Sequence, residues 1–178
     1  MRRYLMGKLI EGFERRLGVE LPYLNEIATH APGAFVPILM FMPATAYGPT
    51  LPSTVIHMVR LGATQALDCG ECLEIAVNVA RQEGVGPEDI ATALSGRADD
   101  LPAEHAEAFE FGRRLGVGQD AEEVRRAIRA RYGERGLIEA SMAAATSHLF
   151  PVLKKGMGFA RACELSRLGL PLPDEPAA

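Results

Sequence analysis

Two cysteines with the spacing Cys69-Gly-Glu-Cys72 are the residues in this sequence best suited to chemistry. On a helix, residues three positions apart share a face, so the two thiols can lie close enough to form a disulfide. At a helix N-terminus, free backbone N–H groups and the positive end of the helix dipole favour a thiolate. One thiolate can attack a peroxide or a disulfide, and the other thiol can resolve the product. The pair therefore predicts a redox centre that forms a reversible disulfide.

Two acidic residues, Asp68 and Glu71, lie beside the thiols and have the spacing of a capping box. They predict a helix that starts at Asp68 and holds both cysteines in its first turn. Their negative charges raise the pKa of a neighbouring thiol, whereas the helix dipole lowers it. The net direction of the thiol pKa is therefore open at the level of the sequence.

A structural or vestigial role is the simplest alternative for the cysteine pair, and metal binding is another. A zinc site is disfavoured because the chain has no second Cys or His pair at ligand spacing. The third cysteine, Cys163, lies in an apolar context and is expected to be a small buried hydrophobic residue. We therefore expect no bound metal ion.

Helical periodicity dominates the chain, and few segments alternate with a period of two. These patterns predict an all-α fold, with residues 1–170 as a single-domain helical bundle and 171–178 as a flexible tail. Residues 33–51 are expected to form short helical pieces because prolines interrupt them. The remaining helices are predicted at 4–17, 22–29, 53–67, 68–84, 87–94, 102–115, 120–132, 134–154 and 157–168.

The composition is that of an ordinary globular protein, with 178 residues, 48% hydrophobic side chains and a formal net charge of −4. A mildly acidic chain without a net basic stripe is a poor match for nucleic acid. The longest uncharged segment, 27–59, is broken by prolines, so no run of about 20 apolar residues is left to cross a membrane. Lys8 and Glu11 interrupt the N-terminal segment where a signal peptide needs an apolar core. We therefore expect a cytoplasmic protein that binds neither nucleic acid nor membranes.

The segment from His57 to Ala76, in which a helix leads into the Cys-x-x-Cys, resembles the core of the carboxymuconolactone decarboxylase superfamily and its alkylhydroperoxidase D-like branch. Similarity of pattern extends over about residues 20–160. The resemblance implies a helical bundle and a thiol-dependent peroxidase or disulfide oxidoreductase with no organic cofactor. It also implies that Cys72 attacks the substrate and that Cys69 resolves the intermediate.

The same resemblance implies the partners of such an enzyme. The substrate is expected to be a small hydroperoxide or a disulfide, and the reductant a thiol protein or a lipoyl- or thioredoxin-like donor. A homo-oligomer is expected, as a dimer, a trimer or a hexamer. The apolar segment 31–52 is predicted to form part of its interface, because a small domain cannot easily bury so many consecutive apolar side chains.

The redox branch carries a Glu and a His that relay protons to its second cysteine, and this sequence departs from the branch at both positions. Twelve residues before Cys69 stands His57, and four residues after Cys72 stands Ala76. His57 is the one titratable group left at a relay position. Its imidazole can accept a thiol proton near neutral pH, so His57 is predicted to be the base for Cys72.

The helix face that carries His57 also carries Arg60 and Thr64. If the family packing holds, this stripe faces Cys72, and the charge of Arg60 lowers the pKa of His57. A second histidine, His148, lies in an apolar helix and is expected to be a core residue rather than another relay group.

Two other functions are open. A lyase that resembles carboxymuconolactone decarboxylase itself would act on a small organic acid without a thiol pair; the Cys-x-x-Cys opposes this function, and the missing relay favours it. A non-enzymatic member of the fold would bind a ligand or a partner. A reversible disulfide would separate the peroxidase from both alternatives.

Overall fold

The computed structural model describes residues 2–162 and 164–170, and within these residues it contains α-helices and no strand. The all-α class predicted from the sequence is confirmed. The predicted tail at 171–178 and the buried position predicted for Cys163 lie outside the described residues. The helices are α1 (Arg2–Leu17), α2 (Pro22–His30), α3 (Pro32–Thr45), α4 (Ser53–Ala66), α5 (Gly70–Gln82), α6 (Pro87–Leu94), α7 (Ala103–Gly116) and α8 (Glu122–Met157).

The proline-rich segment differs from its prediction, because α3 is one continuous helix rather than a set of short pieces. Pro32 opens it at a position where the missing N–H is not needed. Pro37 and Pro43 lie inside the helix. A proline φ angle is compatible with helical backbone, so each of the two costs a hydrogen bond without ending the helix.

The predicted start of the cysteine helix at Asp68 is wrong, and so is the capping box. Asp68 has a φ of 45°, in the left-handed region, which separates α4 from α5. The N-cap residue of α5 is Cys69, and the helix begins at Gly70. The Glu71 side chain forms ion pairs elsewhere instead of closing a box.

The C-terminal helices were predicted correctly at one break and wrongly at the other. Gly133 has φ 70° and ψ −175°, so it interrupts α8 where the sequence places a boundary. At the far end, α8 continues past Gly156 to Met157 and stops at Gly158, whose φ is 77°. The helix predicted at 157–168 is therefore wrong: beyond Met157, among the described residues of this span, Leu165–Leu168 alone is helical, as a short 3-10 turn.

Two hydrophobic clusters hold the helices together. The larger one surrounds α4 and includes buried side chains of α5, α6, α7 and α8. The smaller one joins the buried faces of α1, α2 and α3, and partly buried side chains at the C-terminal end of α8 pack against it. The hydrophobic face of the N-terminal helices is thereby fixed beside the helices that carry the cysteines.

Helix α4 reaches its position through very close packing on α7. A Cβ atom on Gly62 would lie 2.1 Å from the carbonyl oxygen of Phe109, and one on Gly112 would lie 2.0 Å from that of Val59. Only glycine allows the two backbones to approach this closely. The opposite side of α4 is then free to carry His57 and its neighbours toward α5.

The loop before α4 is held by a buried carboxylate on α8. Glu139 is fully buried, and its Oε2 accepts hydrogen bonds from the backbone N–H groups of Thr50 and Leu51, both at 2.9 Å. This contact fixes the entry into α4, and with it the position of His57 one turn later.

Candidate functional site

The two cysteines lie at the N-terminus of α5 as free, buried thiols. Cys69 is fully enclosed and Cys72 is 7% exposed. A hydrogen bond from the Cys72 thiol lowers the pKa of Cys69 to about 7, and the Cys72 backbone N–H and the charge of Lys154 act in the same direction against burial. The same thiol–thiol contact, together with burial, raises the pKa of Cys72. The pair therefore titrates as a unit and holds one negative charge, centred on Cys69, near neutral pH.

A buried cation lies beside this pair. Lys154 of α8 is 1% exposed, and its Nζ is 3.2 Å from Oε2 of Glu71. Its charge lowers the pKa of both cysteines, whereas Glu71 raises both. Arg161 also pairs with Glu71, its Nε lying 3.4 Å from Oε1. The acidic neighbour that the sequence places beside the thiols is thus largely neutralised by two cations.

Sequence reasoning missed Lys154, although one signal was present. Lys154 directly follows the apolar run Leu149-Phe150-Pro151-Val152-Leu153, where a charged residue is out of place. A buried lysine needs a partner, so this position pointed to an acidic residue on another helix. The sequence does not say that the partner is Glu71.

Tyr23 of α2 is a second group near the thiols that the sequence did not reveal. Its side chain is 3% exposed, and its ring centroid lies 4.9 Å from Lys154 Nζ. Burial, followed by the charges of Cys72 and Cys69, raises the pKa of the Tyr23 phenol. Tyr23 therefore stays protonated and keeps an O–H group that can donate a hydrogen bond.

A cavity of about 200 Å³ lies between the N-terminal helices and the cysteine helix. Cys72 is on its wall and Cys69 is not. Most of the wall is apolar. Its lining residues are Phe13, Leu17, Leu21, Tyr23, Leu24, Phe35, Ile38, Leu39, Met42, Thr45, His57, Arg60, Thr64, Cys72, Ile75, Ala76, Val79, Thr146, Ser147, Phe150 and Pro151.

The stripe predicted on α4 faces this cavity. His57, Arg60 and Thr64 all lie on the wall that also carries Cys72. His57 is 1% exposed, and its Nε2 is 2.9 Å from Oε2 of Glu83. Burial lowers the pKa of His57, and Arg60 lowers it further against the opposing effect of Glu83. Within the described residues His57 makes no hydrogen bond to Cys72. The two side chains line the same cavity without a hydrogen bond between them.

The second relay position is an open part of the cavity. Ala76 lies one helical turn after Cys72 and lines the wall, where a larger side chain would occupy the space. His148, which the sequence predicts to be a core residue, is half-buried on α8 and is not among the residues that line the cavity. It is therefore neither a core histidine nor a member of this site.

The described residues contain no candidate metal site. Within 2–162 and 164–170, no cluster of three His, Cys, Asp or Glu side chains could hold a metal ion. Over the same residues, no helix has both the length and the apolar character needed to cross a membrane.

Residues 38–111 match the family model described as the carboxymuconolactone decarboxylase family. No curated protein and no solved structure matches the chain. The matched segment holds Cys69, Cys72 and His57, whereas Tyr23 and Lys154 lie outside it. An all-α fold and a Cys-x-x-Cys at the start of a helix agree with this match, so residues 38–111 are similar to the carboxymuconolactone decarboxylase family.

Proposed function

We propose that this protein is a thiol-dependent oxidoreductase that cycles Cys69 and Cys72 between a dithiol and a disulfide. The observation that carries the proposal is the position of Cys72, which lies on the cavity wall and is hydrogen-bonded to an enclosed Cys69. A reactant that enters the cavity meets only one of the two sulfur atoms. Cys72 is therefore the attacking residue and Cys69 the resolving one.

The reaction with a hydroperoxide starts from the singly charged pair. The proton of the pair moves to Cys69, and the Cys72 thiolate attacks the outer oxygen of ROOH. The O–O bond breaks, RO⁻ takes the proton of Cys69 and leaves as ROH, and Cys72 becomes a sulfenic acid. Cys69, now a thiolate, attacks the Cys72 sulfur; the disulfide forms, and hydroxide leaves and takes up a proton to become water.

The disulfide returns to the dithiol by exchange with a donor dithiol, which gives up two electrons and two protons. A thiol protein or a lipoyl- or thioredoxin-like donor has the required chemistry. Such a cycle suits a reducing compartment, in agreement with the cytoplasmic location expected from the sequence.

His57 is the base in this scheme. Its neutral imidazole can accept the proton that the dithiol loses when it becomes singly charged, and can return that proton to the leaving hydroxide; its Nε2 is hydrogen-bonded to Glu83. The Glu83 side chain is 52% exposed, so a proton that reaches this pair has a route to solvent. The His57–Glu83 pair thereby takes the place of the relay that the redox branch builds at two other positions.

Lys154 and Tyr23 complete the site. The buried ammonium of Lys154 favours the negative charge on the thiol pair. The phenol of Tyr23 is protonated at neutral pH. It can donate a hydrogen bond to the oxygen of the leaving group RO⁻ when Cys72 attacks the hydroperoxide. Neither residue comes from the segment that matches the family model.

The experiment is disulfide mapping by mass spectrometry in a Cys163→Ser background, which removes the third thiol. Treatment with one equivalent of cumene hydroperoxide is expected to link Cys69 to Cys72, and dithiothreitol to restore both thiols. A Cys69→Ser variant should trap a dimedone-reactive sulfenic acid at Cys72. Two freely alkylated cysteines after peroxide treatment would rule out the redox cycle and favour the lyase or the ligand-binding protein.

A further inference from the structure

The cavity wall combines residues of the matched family segment with residues on both sides of it. Its apolar wall includes Phe13 and Leu17 from α1, Leu24 from α2 and Phe35 from α3, all before residue 38. The match to the family model therefore does not by itself determine what this cavity holds. Its occupant has to be inferred from the groups that line it.

One positive charge stands at the polar part of the wall. Arg60 is half-buried, and its Nη2 donates a hydrogen bond to the carbonyl oxygen of Thr45 at 2.7 Å. Among the described residues, no carboxylate lies within ion-pair distance of its guanidinium. Glu83, the nearest acidic group that acts on it, is hydrogen-bonded to His57. The guanidinium thus lines an apolar cavity without a counter-ion.

Three hydroxyl groups of the wall are already engaged. The hydroxyl groups of Thr45, Thr146 and Ser147 donate to backbone carbonyls of their own helices. An arginine has five N–H donors in a fixed planar arrangement that matches a carboxylate. Among the described residues, the Thr45 carbonyl oxygen accepts a hydrogen bond from one nitrogen of Arg60, Nη2. The cavity therefore offers one guanidinium without a counter-ion and a hydrophobic enclosure.

We propose that the cavity binds a compact apolar molecule that carries a single carboxylate, with the carboxylate on Arg60 and the apolar body against α1, α2 and α3. A cavity of about 200 Å³ is somewhat larger than a ~150 Å³ cavity that accommodates benzene, so the body has roughly eight to ten non-hydrogen atoms. Octanoate, with ten non-hydrogen atoms including its carboxylate, is close to this size. A dicarboxylate fits poorly, because its second charge would lie against the apolar wall without a partner.

Where such a molecule lies, it meets Cys72, which shares the wall with Arg60. The inference rests on the proposed function for its catalytic meaning, since an acid bound in this way would bring a peroxide group on its body to the attacking thiol. Binding itself needs no thiol chemistry. The two proposals can therefore fail separately.

The test is isothermal titration calorimetry with octanoate on a Cys72→Ser variant, in which no redox cycle is possible. Octanoate is expected to bind about tenfold more tightly than 1-octanol, because only the carboxylate pairs with Arg60. Octylamine, a cation of the same length, and succinate, a dianion without an apolar body, are expected to bind more weakly still.

Three variants connect the binding to the structure. Arg60→Gln is expected to weaken octanoate about tenfold and to leave 1-octanol within about twofold, whereas Arg60→Lys keeps part of the selectivity. Ala76→Leu, which fills the cavity beside Cys72, should weaken both ligands. In the Cys163→Ser protein, octanoate should also slow iodoacetamide alkylation of Cys72.

Equal affinity for octanoate and 1-octanol, or an unchanged preference in Arg60→Gln, would overturn the assignment of the carboxylate to Arg60. Absence of binding by every apolar ligand would overturn the site as a whole. A protein that binds octanoate but forms no disulfide would retain this inference and lose the proposed redox function; a protein that forms the disulfide but does not bind octanoate would do the reverse.

Discussion

Lys154 and Glu71 form an ion pair across the start of the cysteine helix, with Lys154 Nζ 3.2 Å from Glu71 Oε2 and the lysine 1% exposed. The pair joins the C-terminal end of α8 to the first turn of α5. Glu71 lies between the two cysteines, so the ammonium that neutralises it also acts on the thiols. A residue far along the chain thereby sets the charge balance of the Cys-x-x-Cys.

Replacing Lys154 is expected to make the cysteine pair less reactive at neutral pH. In Lys154→Met, the thiol pKa rises because Glu71 still opposes the thiolate while the buried cation is gone. The rate of iodoacetamide alkylation at pH 7 should fall roughly three- to tenfold, with its pH profile moved to higher pH. Lys155→Met, which removes an exposed lysine from the next position, is the matched control. Identical profiles for the two variants would exclude Lys154 from thiol activation.

Replacing His57 tests the proposed base. His57→Gln should lower thiol reactivity by on the order of 10²-fold, the usual scale for a positioned general base. Glu83→Gln, which changes only the partner of Nε2, should cause a smaller loss. The measurement is the alkylation rate against pH, with circular dichroism to verify the fold. His148→Gln serves as the control, because His148 does not line the cavity. An unchanged profile in His57→Gln would leave the thiols working without a protein-borne base.

The parts of the site that follow from local spacing could be predicted from the sequence. Cys69 and Cys72 lie three positions apart, and His57, Arg60 and Thr64 share one face of α4; both relationships are properties of a helix. The structure places Cys72 and the α4 stripe on one cavity wall, as the packing of the family suggests.

The parts that depend on packing between distant helices could not be predicted. Tyr23 and Lys154 reach the thiols from α2 and α8, and no sequence spacing relates them to α5. The start of α5 was also missed, because an aspartate tolerates the left-handed conformation that Asp68 adopts, and its sequence signature is that of a cap. Glycine positions show a similar ambiguity, since Gly156 and Gly158 are equally plausible helix ends until the backbone shows which one has positive φ.

Replacing Glu139 is expected to destabilise the fold. One oxygen of this fully buried carboxylate accepts two backbone N–H groups, so Glu139→Gln should lower the free energy of unfolding by about 1–3 kcal/mol. The denaturant midpoint measures this loss, and Glu134→Gln on the exposed surface of α8 is the control. A midpoint equal to that of the control would show that the loop before α4 does not depend on this carboxylate.

The same carboxylate predicts a pH dependence of stability. Burial raises the pKa of Glu139, but the N–H groups of Leu51 and Thr50 outweigh burial and hold the pKa below its usual value. Its contribution to stability is therefore complete above the pKa of the unfolded chain and is lost as the pH falls through the folded pKa. Glu139→Gln has no carboxyl group to protonate at this position. The difference in the free energy of unfolding between the unchanged protein and Glu139→Gln should therefore shrink below about pH 4. A constant difference down to pH 3 would contradict this assignment.

The exposed face of α3 leads to the last prediction, which concerns assembly. Val36 and Met40, one turn apart on a helix without charged residues, are 49% and 76% exposed. An apolar surface of this kind is costly in water, so we propose that a second copy of the chain covers it in a homo-oligomer.

Sedimentation velocity at micromolar concentration should show a dimer, a trimer or a hexamer. Met40→Glu should dissociate this oligomer, because a carboxylate cannot be buried there without a partner. Val152→Glu changes an apolar residue of α8 that is 59% exposed and should leave the assembly intact. A monomer in the unchanged protein, or equal dissociation by both variants, would exclude α3 as the interface.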